Sequence, residues 1–187
     1  MARLDNKRNL IMNIRNSVRL ALLATTTMLG AGTALTALGA TQTSTLSITA
    51  TIANVCAIST TNGVAFGAYD PVTANATNPL TATGSLSVTC TSGATEPVIT
   101  LDVGSNANVA GSAAAPQRQM ISAGNLLAYY LYQDSNYSVV WGNTAGSGEG
   151  YTGTGTASTL TVYGSIPAAQ NVPAGSYADS VVATVTY

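Results

Sequence analysis

The stretch TSTLSITATIANVC, residues 43–56, sets Leu46, Ile48, Ala50 and Ile52 on one parity and Thr45, Ser47, Thr49 and Thr51 on the other. Side chains alternate faces along a strand, so a period of two predicts a strand with one dry and one wet face. A helix would scatter the same apolar residues around its circumference. The pattern leaves two assignments open: the first strand of the chain's own sheet, or a strand that pairs with another molecule. Clean alternation is lost at Ala53 and Asn54, which marks the end of the segment.

The same period recurs downstream. GSLSVTC (84–90) puts Leu86, Val88 and Cys90 on one face, and PVITLDVGS (97–105) alternates Val98 and Thr100 with Ile99, Leu101 and Val103. In QMISAGNLLAYYLYQD (119–134), Leu127, Tyr129 and Leu131 oppose Tyr130 and Tyr132; 138–141 reads as an outer strand continuing it. LTVYGSIP (160–167) is a further strand. In DSVVATVTY (179–187), Val181, Ala183, Val185 and Tyr187 share a face. Asn62-Gly63 and Gly67 are turn signals, and the Gly- and Thr-rich run 142–159 stays unassigned. Short strands at this spacing, with no helical period after residue 41, predict an all-β sandwich. No solenoid repeat is present.

Residues 1–40 carry basic residues, then an apolar run ending in small residues, the order of a secretory signal peptide. A start at Met12 gives it a more ordinary length, and cleavage after Gly39 or Ala40 suits its end. An uncleaved anchor is the second reading, set back by the threonines and glycines that dilute the run. The expected organisation is a leader to 40, an N-terminal strand over 41–53 and one domain over 54–187. Without the leader, Arg118 stands alone against six acids, a net −5 over about 147 residues, which repels nucleic acid. Export implies an oxidising compartment, so Cys56 and Cys90 are expected to form a disulfide; two buried free thiols are the alternative.

The chemistry of catalysis is sparse. There is no His, and no Lys beyond the leader, which removes the usual general bases and most zinc sites. The acids occur singly, and no serine lies in a nucleophile elbow. We therefore expect no catalytic residue, metal, cofactor or small-molecule substrate. SGEGYTGTG (147–155) offers oxygen atoms but no calcium-loop pattern. Trp141 and the tyrosines of 129–132 read as strand packing, with a sugar-stacking platform as the alternative.

Cys56, Phe66-Gly67, Cys90, AYYLYQD (128–134, with Tyr129, Tyr132 and Asp134), Trp141-Gly142, VYGSIP (162–167, with Gly164) and GSYADSVVATVTY (175–187, with Gly175, Tyr177 and Asp179) form an ordered set. It resembles the spore coat protein U domain family, and in particular the major subunits of archaic, Csu-type chaperone-usher pili. The resemblance implies an immunoglobulin-like sandwich lacking its last strand. A periplasmic chaperone, then the N-terminal strand of the next subunit at an outer-membrane usher, would fill the gap by strand addition. Leu46, Ile48, Ala50 and Ile52 would then be the donor residues, entering the groove of another copy or a related pilin. Val181, Ala183, Val185 and Tyr187 would line the acceptor groove. The implied role is a surface fibre, reached through the periplasm and supporting adhesion and biofilm formation. A protective coat protein and a monomeric lectin-like module are the alternatives.

Overall fold

Nine residues of perfect register build the centre of the molecule. The structure, a computed structural model, describes residues 39–106, 108 and 111–187, so all but the last two residues of the expected leader, 1–40, lie outside it. β1 (Cys56–Asn62) and β2 (Leu80–Cys90) pair antiparallel, and β2 pairs β7 (Ser158–Ile166) from Leu80↔Ile166 to Val88↔Ser158. Between them in the chain run β3 (Val98–Leu101), β4 (Arg118–Ser122), β5 (Asn125–Tyr132) and the two-residue β6 (Glu149–Gly150); β8 (Ala183–Thr186) closes it. Two sheets result, a long one ordered β1-β2-β7-β5-β4 and a short one ordered β6-β3-β8.

Alternation decides which face goes inward. Leu86, Val88 and Cys90 of β2, Val162 and Ile166 of β7, and Leu127, Tyr129 and Leu131 of β5 are buried against Ile99 and Leu101 of β3. The residues of opposite parity, Ser87, Thr89, Ala128, Tyr130, Tyr163 and Ser165, point away. Trp141 joins this core at 1 % exposure, its indole Nε1 donating to the Ile99 carbonyl at 2.8 Å. Cys56 and Cys90 stand opposite each other in the β1–β2 ladder and are joined by a disulfide spanning 34 residues of chain.

The structure departs from the sequence pattern in four places. The run 119–134 is a hairpin, because Ala123 and Gly124, both at positive φ, make a two-residue turn between β4 and β5. The outer strand expected at 138–141 shrinks to one bridge, Tyr132↔Val140, and the run 142–159 holds a short 3-10 turn and β6. The last strand begins only at Ala183, since Asp179 to Val182 are held by side chains. The strand expected over 43–56 starts only at Cys56. The chain divides into two units at Ile48/Thr49; residues 39–48 of the first, and 49–55 of the second, are exposed and without secondary structure.

Aspartates organise two loops. The Asp70 carboxylate accepts from the Val72 and Thr73 amides at 2.9 and 3.0 Å and from the Thr73 hydroxyl. Those bonds, the Thr73 hydroxyl first, hold its pKa at about 2. Asp134 is lowered likewise, chiefly by the Val139 amide. A depressed carboxylate stabilises above its unfolded pKa and stops doing so as pH falls through the folded one. The Val72 and Thr73 amide resonances should therefore stay fixed as pH drops past 3.8 and move only near about 2. Titration of these amides at the ordinary value would contradict the turn.

Candidate functional site

The long sheet is only partly covered by the short one. β3 and β8 are four residues each, whereas β2 has eleven and β7 nine, so inner-face side chains at one end have no strand opposite. A cleft of about 380 Å³ opens there. Leu86, Tyr129, Leu131 and Val162 of the long sheet line one side; Leu101, Ala183 and Val181 line the other. β1 contributes Thr60 and Asn62 at the mouth. The outer edge of β8 is paired with no strand among the described residues, although β1 approaches it.

Residues 63–69 leave β1 without forming a strand and cross the inner face of the long sheet. Val64 and Phe66 pack over Gly164, where an added Cβ would stand 2.6 Å from Val64 and 2.7 Å from Phe66. The Phe66 ring meets Tyr129 edge-on at 6.1 Å. Val64 and Phe66, with Met120 and Tyr177, also line a second cleft of about 680 Å³ that runs on toward Val172 and Gly175. The two clefts thus adjoin as one trough, apolar beside β8 and more polar toward Gly175.

A polar knot fixes the trough's far wall. Asp179 lies in the lining and accepts from the Tyr129 hydroxyl at 2.7 Å and the Ser105 amide at 2.9 Å. Asp102 accepts from the Gly104 and Val182 amides, both at 2.9 Å. Gly104 has φ +78, and any Cβ there would collide with the Asp179 carboxylate. Burial first, then the Asp179 bond, pushes the Tyr129 phenol up, so it stays a donor. Beneath them Arg118 is fully buried and donates to the carbonyls of Asp102, Leu101 and Trp141 at 2.8, 3.0 and 2.9 Å. Burial holds its pKa at about 10, against Tyr129, Asp102 and Asp179, so it remains a cation at neutral pH.

The sequence-derived residues distribute as follows. Val181 and Ala183 line the cleft, Val185 is half-buried against the core, and Tyr187 is 58 % exposed outside both linings. Phe66, Tyr129, Tyr177 and Asp179 meet in the trough. Gly67 adopts φ +77, and Gly175 sits against Ser122 beside the Ile121↔Ala178 bridge, which lays the C-terminal segment on β4. Asp134 organises its own loop away from the trough. Leu46, Ile48 and Ile52 are 82, 87 and 85 % exposed, and Ala50 is exposed too. Val64, Met120 and Arg118 carry no signal in sequence that would place them here. Trp141 cannot be a stacking platform, because the core encloses it. No group of three or more metal-ligating side chains occurs among the described residues.

Residues 42–184 match the spore coat protein U domain. The chain belongs to that family. Protein U of Myxococcus xanthus is 40 % identical over 155 residues, covering 79 % of this chain and 86 % of its own. The fold is also that of a chain from the crystal structure of the CsuC–CsuE chaperone-tip adhesion subunit pre-assembly complex of archaic chaperone-usher Csu pili of Acinetobacter baumannii. That similarity has a TM-score of 0.51 at 23 % identity and covers 73 % of this chain. The present chain spans 40 % of the length of that one. This spore coat protein U domain is thus an all-β, immunoglobulin-like sandwich.

Proposed function

We propose that this chain is a structural subunit of a surface fibre in which each copy lends a strand to the next. One observation carries the reading: an apolar trough lies open beside the unpaired β8 edge. Uncovered apolar edges invite aggregation, so a partner strand has a reason to fill this one. Leu46, Ile48, Ala50 and Ile52 are the donor candidates, with the register of alternate side chains that strand addition uses. Each insertion is head to tail and need not close, so repeated insertion builds a filament. A periplasmic chaperone would cover the trough before assembly, and an outer-membrane usher would exchange it for the donor. Adhesion and biofilm formation follow as the roles of such a fibre on the cell surface.

An unheated denaturing gel of surface-sheared protein tests this. The natural chain should give a ladder at multiples of the subunit mass that collapses on boiling. Leu46→Arg with Ile48→Arg should abolish the ladder, because charged side chains cannot enter an apolar trough without a large desolvation cost. A single unheated monomer band from the natural chain would reject strand donation. The kinship with Protein U favours a second reading, a protective coat component. Electron microscopy of the sheared fraction separates the two, filaments supporting the fibre and amorphous layers the coat.

A further inference from the structure

On the opposite side of the long sheet from the trough, three successive cross-strand pairs, Thr83↔Tyr163, Ser85↔Thr161 and Ser87↔Thr159, face outward. Strand geometry spaces these residues about 4.8 Å across and about 6.6 Å along the sheet. Not one of the six is charged, although a solvated sheet face ordinarily carries charges among its polar residues. Next to them, Tyr132 is the β5 partner of Tyr163, and Tyr137 stands perpendicular to both rings at 5.6 and 6.3 Å. Tyr130 extends the cluster at 6.1 Å from Tyr132. The loop that carries Tyr137 is fixed by Asp134, whose carboxylate accepts from the Ser138 and Val139 amides at 3.0 and 2.8 Å.

We infer that this face binds a neutral polysaccharide. Pyranose rings offer C–H faces that rest on aromatic rings, and hydroxyls that donate to and accept from Thr and Ser. An uncharged hydroxyl face gives no advantage to nucleic acid, which needs cations. A lipid surface would need a contiguous apolar patch. Both clefts lie on the inner side of the long sheet, so this face is open and extended, a shape for a polymer chain rather than an enclosed small sugar. Filling the trough with a strand leaves it uncovered.

Affinity electrophoresis of the full chain in native gels cast with soluble amylose, mixed-linkage β-glucan or galactomannan, with alginate as the charged comparison, tests the inference. The natural chain should be retarded in at least one neutral gel. Tyr137→Gly removes a ring while suiting the backbone, whose φ there is 56°, and should weaken that retardation at least about tenfold. Thr83→Val with Thr161→Val keeps strand-forming side chains at two exposed positions and should weaken it severalfold. Retardation by alginate alone, by no gel, or to the same extent in Tyr137→Gly and the natural chain would overturn the inference.

Discussion

Replacing Arg118 with alanine is expected to lower the unfolding free energy by about 3 kcal/mol or more, since three buried carbonyls lose their donor at about 1–3 kcal/mol each. The side chain is fully buried and among the largest that are, so its removal also leaves a cavity beneath the trough wall. Nη1 finds no hydrogen-bond partner among the described residues, so the worth of the guanidinium lies in the three bonds from Nε and Nη2. Those bonds join the end of β3, at Leu101 and Asp102, to Trp141. Their loss should loosen the segment that Asp102 holds through Val182. Urea unfolding of the purified chain measures the effect; a change below about 1 kcal/mol would mean that water replaces the guanidinium. At 1.4 kcal/mol per decade, the expected loss raises the unfolded fraction roughly a hundredfold.

Exchanging both Cys56 and Cys90 for serine should cost about 4 kcal/mol in the chain-entropy account for a bridge of this span. The pair lies at one end of the β1–β2 ladder, and Cys90 is 1 % exposed, so serine there also buries a hydroxyl. The reduced natural chain and the double variant should unfold at similar, much lower urea concentrations than the oxidised chain. Equal midpoints for oxidised and reduced protein would show that the bridge adds nothing. Both changes are large beside the 5–15 kcal/mol that a domain commonly has in hand.

The sheet faces could be read directly because alternation is local: Leu86, Val88 and Cys90, or Leu127, Tyr129 and Leu131, announce their burial in a window of seven residues. The hairpin at Ala123-Gly124 was harder, since Ser-Ala-Gly-Asn lacks the Asn-Gly signature and the flanking apolar residues run on through it. The trough was legible on one wall only. Val181 and Ala183 stand on one parity of an alternating stretch, although only Ala183 is in β8, whereas Val64 and Phe66 come from a segment with no ladder, whose course depends on glycines at 84 and 164. Arg118 was the least visible feature. The sole basic residue after position 40 reads as a surface charge, and only the convergence of carbonyls from positions 101, 102 and 141 makes a buried site for it. The bond between Tyr129 and Asp179, fifty positions apart, is of the same non-local kind.

The disulfide also sets how the domain bears load. A pull on the residues ahead of Cys56 first loads the hydrogen bonds that tie Ala53 and Val55 to Thr91, then meets the covalent link, which passes it to Cys90 at the end of β2. β1 cannot be peeled from that end one rung at a time. The tension spreads into β2, which is flanked on both sides by antiparallel partners and paired with β7 over nine positions. Under tension the domain is therefore clamped at the point where its tail leaves the sandwich.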